Sequence, residues 1–369
     1  MDKTCPYIEI NLEKIAHNTK EIIKLCERKK LEPVIVTKIF CANNRITETI
    51  VNQGIRTVGD SRIKNLMRIK NINCKKLLLR IPMKSEVSKV IEYADISLNS
   101  ELEVIKELSS FASMNNKVHE IILMVDLGDL REGVLPKDVM PLVEEIMKLS
   151  NIKLIGIGTN LTCYGAVMPD EHNLGKLVSI KYKIEKEFKI NVPIVSGGNS
   201  SSLYMLLNNS MPKGINQLRI GESLALGRET AFGKPLKNFY NDSFILKAEI
   251  IELKEKPSLP VGKVGVDAFG NKPTFEDKGI MKRAIVALGK QDILLDGLTP
   301  RDSKIEILGA SSDHLLLDLT KCDKKYKIGN IIEFNMNYGC LLAAMTSPYI
   351  EKYCIDIRKF KFTYKVESI

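Results

Sequence analysis

Residues 33–60 read PVIVTKIFCANNRITETIVNQGIRTVGD, and this stretch contains the unit from which the first part of the chain is built. An apolar run at 33–38 is followed by a segment with helical periodicity at 45–53 and by a second short run at 55–60. Short runs rich in Val and Ile are typical of parallel strands that are buried between helices. The stretch therefore predicts a strand, a helix and a second strand.

The same alternation continues as far as residue 222. Six further runs are predicted strands, at 76–82, 94–98, 119–126, 152–159, 192–198 and 216–222. Helical periodicity is found in seven segments, at 12–29, 45–53, 61–70, 84–91, 100–114, 136–149 and 172–188. Eight strands that alternate with helices predict a (β/α)8 barrel, an α/β fold of the TIM type; a doubly wound sheet is the alternative.

After Gly227 the pattern changes to short strands with few helical segments between them. These predicted strands lie at 243–256, 282–290, 304–310, 314–320, 330–337 and 353–360. Turn residues such as Asp296-Gly297 separate them. We therefore expect a barrel over residues 1–227 and a C-terminal all-β domain over residues 228–369.

Composition and charge exclude several classes of protein. The net charge is +10, but acidic and basic residues are interleaved along the chain, which is typical of solvated helix faces and not of a nucleic-acid surface. No apolar run approaches the length of about 18 residues that a membrane helix needs. The eight cysteines are scattered singly without a C-x-x-C pair, and the N-terminus has no apolar signal region. We expect a cytoplasmic protein with reduced thiols, with no metal, nucleic-acid or membrane partner.

Candidate site residues come from the carboxyl ends of the predicted strands, where the loops of such a barrel converge. The first strand ends in Lys38, and the last two lead into the small-residue stretch 196–202, SGGNSSS, and to Arg219. Loops after the last two strands of a barrel often bind a phosphate group. A lysine that is partly shielded from water can form a Schiff base with a carbonyl. Together these features point to an aldolase-type substrate or to pyridoxal phosphate, and the early position of the lysine favours the cofactor.

At these residues the chain resembles the alanine racemase family of pyridoxal-phosphate enzymes over almost its whole length. The similar segments are VIVTK (34–38), VDLGDLREG (125–133), GGNS (197–200) and LRIGESLALG (218–227). The resemblance implies that Lys38 binds the cofactor covalently and that Arg131 helps to bind the substrate carboxylate. It further implies cofactor contacts for a set of barrel residues, namely Asn160, Asn199, Ser200, Arg219, Gly221 and Glu222. An arginine at the ring nitrogen favours proton exchange at Cα, so the resemblance implies a racemase.

The resemblance extends into the C-terminal domain. Ser312-Asp313-His314-Leu315 falls where the family has a substrate-binding segment, and Asn337-Tyr338-Gly339 falls where it has an active-site tyrosine. Asp313 is therefore expected to bind substrate and Tyr338 the cofactor. In the family such residues act across a subunit interface, so a homodimer is implied.

Departures from the family pattern indicate which branch of the family, and so which substrate, the chain resembles. Gly289-Lys290-Gln291-Asp292 stands where the family has the turn with its tyrosine base, so that tyrosine is absent from this turn. Ala42 stands in place of the family's phosphate-binding tyrosine, and Asn160 stands in place of the histidine that stacks on the cofactor ring. The lysine that is often carbamylated in the family is Met124. With the stretches LLLRIP, SLNSE and GTNLTCYG, these departures make the chain similar to the branch of the family that racemises ornithine.

Racemisation needs acid/base groups on both faces of Cα. Lys38 is expected to serve one face, and the candidates for the other are Cys163, Lys290, Tyr338 and His314. Cys163 is favoured because a thiol with a lowered pKa can transfer protons. The candidates for binding a basic substrate side chain are the carboxylates of Asp129, Glu132 and Asp313.

Four alternatives remain open from the sequence. Lysine, arginine, alanine or serine could replace ornithine as the substrate. A decarboxylase of basic amino acids shares the two-domain plan, but would carry an acid at the ring nitrogen in place of Arg219. An aldolase or dehydratase of the same fold would need a His/Cys metal pair, and His314 is the only histidine after residue 227. A non-catalytic pyridoxal-phosphate carrier would lack the β domain.

Overall fold

The computed structural model describes residues 4–356. These residues form two compact units. The barrel unit comprises residues 12–241, and the β unit comprises residues 4–11 together with 242–356. The sequence placed the boundary after residue 227 and the N-terminus with the barrel. In the structure the first strand, β1 (Tyr7–Asn11), pairs within the β unit.

The eight predicted parallel strands are confirmed, and they close into a barrel in sequential order. They are β2 (Glu32–Val36), β3 (Thr57–Asp60), β4 (Lys75–Leu78), β5 (Ile96–Asn99), β6 (His119–Met124), β7 (Ile152–Gly158), β8 (Ile194–Ser196) and β9 (Gln217–Ile220). Closure is made by β9 and β2, whose register places Arg219 beside Val34. The sheet has no free edge, so all eight carboxyl ends surround one mouth.

Helices follow each strand and cover the barrel. They are α1 (Leu12–Glu27), α2 (Asn44–Val51), α3 (Ile63–Arg68), α4 (Val87–Tyr93), α5 (Leu102–Met114), α6 (Val139–Met147), α7 (Glu171–Phe188), α8 (Leu203–Leu207) and α9 (Glu222–Leu226). The first seven match the predicted segments. The last two were not predicted, because five residues are too few for a recognisable helical period.

The barrel interior is filled by apolar side chains from alternate strand positions. This core contains Val34, Leu77, Ile96, Leu98, Ile122, Met124 and Ile155. Each fully buried aliphatic side chain contributes roughly 1.5–3 kcal/mol to stability. A packed interior leaves the mouth at the carboxyl ends as the place where polar side chains can converge.

The β unit is an antiparallel sheet to which one parallel pair is added. Its strands are β1, β10 (Phe244–Pro257), β11 (Ile280–Ala287), β12 (Leu298–Pro300), β13 (Glu306–Ala310), β14 (His314–Asp318), β15 (Ile331–Met336) and β16 (Glu351–Ile355). The strand order is β12-β15-β10-β11-β14-β13, and β1 lies between β10 and β16. Of the predicted strand at 353–360, residues 357–360 lie outside the described residues.

One helix of the β unit was not predicted. It is α10 (Tyr338–Thr346), and Asn337 caps it by accepting a hydrogen bond from the backbone N–H of Cys340 at 2.9 Å. An Asn at this position satisfies one of the unpaired N–H groups of the first turn. Within residues 4–356, no helix is long and apolar enough to cross a membrane.

Candidate active site

Lys38 lies just beyond the carboxyl end of β2, in a short 3-10 turn that spans Lys38–Phe40. The preceding Thr37 is fully buried, and its hydroxyl donates to the Asp60 carboxylate at the end of β3, at 2.7 Å. Burial raises the pKa of Asp60 above its ordinary value, although its hydrogen bonds and the charge of Lys38 oppose this. Lys38 follows β2 and Cys163 follows β7, so both residues lie at the mouth that the carboxyl ends of the barrel strands surround.

Beyond β8 and β9, residues 197–202 and 221–223 form what we call the serine edge. The Ser200 hydroxyl accepts hydrogen bonds from the backbone N–H groups of Gly221 and Ser223, at 3.2 and 3.4 Å. The Asn199 side chain accepts from the N–H of Ser201 at 2.8 Å. A Cβ at Gly221 would lie 3.0 Å from the Val36 side chain, so glycine allows the close approach of β9 to β2. Asn199, Ser200 and Gly221, which the sequence suggested as cofactor contacts, thus lie close together.

Two hydroxyl groups of the serine edge, those of Ser201 and Ser223, are fully buried and have no hydrogen-bond partner among the described residues. Buried polar groups without a partner are rare in proteins, because each such group loses its bonds to water. Hydroxyls at the predicted phosphate loop are therefore suited to an external oxyanion. Glu222, in contrast, accepts two hydrogen bonds from Arg228 through one carboxylate oxygen, at 2.6 and 2.9 Å.

Arg219 lies at the centre of the mouth and is 3% exposed. Its guanidinium donates to the Ser196 hydroxyl, to the backbone oxygen of Thr159 at 2.6 Å and to the Asn160 side-chain oxygen at 2.6 Å. Burial lowers the pKa of Arg219 to about 10, so it stays protonated at neutral pH. These hydrogen bonds connect the ends of β7 and β8 and fix the orientation of the guanidinium group.

The hydrogen-bond chain continues from Asn160 to an ion pair. The Asn160 amide donates to Glu132 at 2.5 Å, and Glu132 pairs through both of its oxygens with the guanidinium of Arg131. Burial raises the pKa of Glu132, but the bonds and charges of Arg131, Asn160 and Arg219 outweigh it and lower the pKa overall. Glu132 is therefore an anion that lies between two arginines.

Cys163 follows β7 and is exposed as a residue, although its thiol is partly shielded from water by the surrounding protein. Its thiol donates to the backbone oxygen of Leu161 at 3.4 Å and accepts from the Asn199 amide at 3.3 Å. The expected lowered pKa is wrong. Burial and the nearby carboxylates of Asp129 and Glu132 outweigh Arg131 and Lys38, and they raise the pKa of the thiol. The protonated thiol is the favoured form.

Asp129 does not have the free carboxylate that a substrate ammonium would need. It is 1% exposed, and its side chain accepts hydrogen bonds from the backbone of the loop that carries Cys163. The sequence offered no sign of this, because the two partners are more than thirty residues apart. Of the three acidic candidates, Glu132 is the one at the mouth with a side chain that is partly exposed, at 18%.

Within the β unit, the structure brings together three of the predicted residues. The backbone N–H groups of Lys290 and Gln291 donate to the carbonyls of Ser311 and Ser312, which places the 289–292 turn against the segment that holds Asp313 and His314. The His314 ring pairs with the Asp313 carboxylate at 2.8 Å. The Lys290 ammonium lies over the Phe269 ring, 3.9 Å from its centroid.

Tyr338, the remaining candidate of the β unit, is the first residue of α10. The cap at Asn337 and the bond from its N–H to the Gly297 carbonyl fix the start of this helix. Among the described residues, no three His, Cys, Asp or Glu side chains are grouped as a metal site. Tyr338, and the group formed by Lys290, Asp313 and His314, therefore lie on backbone that is fixed by hydrogen bonds.

Comparison with known protein families identifies the chain. The family model described as "Alanine racemase, N-terminal domain" matches residues 10–228, which include every barrel residue discussed above. The chain belongs to the alanine racemase family. This confirms the resemblance seen in the sequence.

Individual relatives agree with this assignment. An ornithine racemase of Acetoanaerobium sticklandii is 52% identical over 94% of this chain and 99% of its own length. A lysine racemase of Thermotoga maritima is 43% identical over 94% of this chain and 98% of its own. Among solved structures, alanine racemase from Bartonella henselae with covalently bound pyridoxal phosphate has a TM-score of 0.71 at 17% identity. The match covers 96% of this chain and 100% of that one. The solved structure supports the fold, a barrel followed by a β domain.

Proposed function

We propose that this chain is a pyridoxal-phosphate-dependent racemase that interconverts L- and D-ornithine. The observation that carries the proposal is the 52% identity to an ornithine racemase over nearly the full length of both chains. The polar groups at the mouth of the barrel are consistent with it. Lys38, the serine edge and the buried Arg219 are the groups that a phosphorylated carbonyl cofactor requires.

The residues present fit pyridoxal phosphate. Ser201 and Ser223 offer buried hydroxyls without protein partners, next to Asn199 and Ser200. Arg219 would hold the ring nitrogen, and Lys38 would hold the carbonyl carbon. When bound, the cofactor acidifies the Cα proton of an amino acid. A cation at the ring nitrogen does not readily give up a proton, which favours exchange at Cα over deeper electron-withdrawal chemistry.

We further propose that Lys38 and Cys163 move the Cα proton on its two faces. The Lys38 amine takes the proton on one face, and the Cys163 thiol delivers one on the other; the roles reverse for the opposite enantiomer. The raised pKa of Cys163 suits the donor role, because a thiol that stays protonated at neutral pH has a proton to give. Lys290, Tyr338 and His314 remain alternatives to Cys163.

Substrate recognition is assigned to the Arg131–Glu132 pair. The substrate carboxylate competes with Glu132 for Arg131, and displacement would leave the half-buried Glu132 with Asn160 as its remaining hydrogen-bond donor. A substrate with a terminal ammonium group supplies Glu132 with a new cation, whereas alanine does not. This exchange favours basic amino acids. Asp313, beside His314, is a second candidate for the same role.

The test is racemisation of a panel of L-amino acids by the purified protein with added pyridoxal phosphate, followed by chiral chromatography. The panel contains ornithine, lysine, arginine, alanine and serine. We expect ornithine to react fastest, and Lys38→Ala to lose activity by a factor of about 10³ or more. Lys153→Ala, which changes an exposed lysine at the opposite end of the barrel strands, is the matched control.

Each other outcome has a distinct meaning. A faster reaction with lysine than with ornithine would mean that lysine is the substrate. The 43% identity to a lysine racemase makes lysine the first alternative. A yellow protein that binds the cofactor and racemises none of the panel would reject the enzyme in favour of a carrier.

We also infer a homodimer and a cytoplasmic location. Family membership supports the dimer, and the eight free cysteines support a reducing compartment.

A further inference from the structure

The loop after β7 is built around one carboxylate that belongs to a different loop. Asp129, after β6, accepts hydrogen bonds from the backbone N–H groups of Cys163, Tyr164 and Val167 at 3.2, 2.9 and 3.3 Å. It is 1% exposed. A buried carboxylate that accepts several N–H groups forms charge-assisted bonds, which are stronger than those between neutral groups.

The backbone of the same loop is shaped to close on Asp129. The Gly165 N–H donates to the Asp129 backbone oxygen at 3.0 Å, and a Cβ at Gly165 would lie 2.8 Å from that oxygen. The Thr162 N–H donates to the Val167 carbonyl at 2.9 Å. Thr162 and Ala166 both have positive φ, near +55°, a conformation that other contacts must hold in place. Asp129 therefore provides contacts that hold the loop from Thr162 to Val167 in this conformation.

The thiol of this loop is held from the other side by the serine edge. The Asn199 amide donates to the Cys163 sulfur at 3.3 Å and to the Leu161 carbonyl at 2.9 Å. Asn199 is also the residue that caps the turn of Ser200–Ser202. Cys163 is thus fixed through its backbone by Asp129 and through its sulfur by Asn199.

We propose that Asp129 is a positioning residue that holds Cys163 at the reacting face of the barrel mouth. The proposal rests on the function assigned to Cys163 above. Asp129 is buried with its carboxylate bonded to the loop backbone, and it acts through that backbone. This role also explains why the sequence could not distinguish Asp129 from Glu132 as a partner for the substrate.

An aspartate suits this task better than an asparagine for two reasons. Both carboxylate oxygens accept hydrogen bonds, whereas the amide of Asn would turn an NH2 group towards backbone N–H groups. The carboxylate charge also raises the pKa of the nearby thiol and keeps it protonated. Replacement by Asn removes both effects and changes the side-chain volume little.

The experiment compares wild type with Asp129→Asn in the full-length protein. The rate of iodoacetamide alkylation at Cys163 is measured against pH by peptide mass spectrometry, which separates it from the other cysteines. We expect the variant to react faster and with its midpoint at lower pH, since the loop opens and a negative charge is lost. Asp170→Asn is the matched control: it removes a charge from the end of the same loop, yet Asn can still cap α7.

Activity supplies the second arm. Asp129→Asn is expected to lower kcat for ornithine by about tenfold or more, within the range for a misplaced acid/base group, and to change KM by less than about threefold. In a Cys163→Ser background the same change should have little further effect, because the group that it positions is gone. A merely structural role would lower activity equally in both backgrounds.

The two arms separate the inference from the function on which it rests. An alkylation profile at Cys163 that is identical in wild type and Asp129→Asn overturns the positioning role. An equal loss of kcat in the Cys163→Ser background also overturns it. If the alkylation profile at Cys163 is shifted in Asp129→Asn but the wild-type protein has no racemase activity, Asp129 does hold the loop of Cys163 and the proposed reaction is rejected instead.

Discussion

The serine edge and the loops after β6 and β7 (residues 126–134 and 159–167, here the loop pair) face the same mouth but are built differently. The serine edge consists mostly of small residues, its one charged side chain, Glu222, is paired with Arg228, and two of its hydroxyls have no partner within residues 4–356. In the loop pair the Thr159 hydroxyl is buried without a partner among the described residues, but the charged and amide side chains of Asp129, Asn160, Arg131 and Glu132 are all hydrogen-bonded. One side has bonding capacity ready for a ligand. The other side must exchange partners to accept one.

This difference matches the lifetimes of the two ligands that we propose. A resident cofactor is best held by groups that are already oriented and unpaired, because binding then costs little rearrangement. A substrate that must enter and leave is suited by a site in which its departure restores an internal ion pair. Arg219 connects the two sides, because its backbone N–H donates to the Gly198 carbonyl of the serine edge at 3.0 Å and its side chain donates to Thr159 and Asn160 of the loop pair.

The largest effect is expected from breaking that connection. Arg219→Ala leaves the Thr159 carbonyl and the side chains of Ser196 and Asn160 without their donor inside the barrel mouth, and it should lower the free energy of unfolding by about 3 kcal/mol. Urea unfolding followed by circular dichroism measures this. Arg219→Lys keeps the charge without the fork and should lose less. A loss under about 1 kcal/mol for Arg219→Ala would mean that the contacts of the Arg219 side chain contribute little to stability.

A smaller effect, confined to the loop pair, is expected for Glu132→Gln. Loss of one charge-assisted contact to the substrate should raise KM for ornithine about tenfold, while KM for alanine changes by less than about threefold. Steady-state kinetics with both amino acids check this, with Asp313→Asn as the comparison. Equal changes for the two substrates would remove Glu132 from side-chain recognition.

The same variant has a signature in pH. The pKa of Glu132 lies below its ordinary value of 4.5 in the folded protein, so its contribution to stability is complete above that value. The contribution is lost as the pH falls through the lower pKa of the folded state. The difference in stability between wild type and Glu132→Gln should therefore shrink in acid.

The smallest effect is expected on the serine edge. Ser201→Ala removes a hydroxyl without a protein partner, so it should leave the stability of the cofactor-free protein within about 0.5 kcal/mol of wild type. Affinity for pyridoxal phosphate should fall by about five- to tenfold, the value of one lost hydrogen bond. Titration followed by absorbance measures the affinity, and Ser202→Ala, whose hydroxyl already bonds to the Gly197 carbonyl, is the contrasting variant. A stability loss as large as that of Ser202→Ala would show that Ser201 serves the fold alone.

Much of the site could be read before the structure, because it depends on residues at strand ends. Lys38, Asn199 and Ser200 lie at the ends of apolar runs of recognisable length and Arg219 lies within the last one, and a closed barrel brings such ends together. What the sequence missed are the partners of these residues. Ser196 and Thr159 bind Arg219 from two other strands, and no local pattern marks a side chain for a contact so distant along the chain.

The sequence by itself determined the strand–helix alternation, the change to antiparallel strands after the barrel, and the family. These follow from the spacing of apolar residues and from short motifs, both of which are local in the chain. Only the tertiary structure decided that β1 belongs to the β unit, that Asp129 anchors the loop of Cys163, and that the pKa of this thiol is raised. Strand pairing, backbone anchoring and burial depend on which distant segments meet, and that is set by the folded chain as a whole.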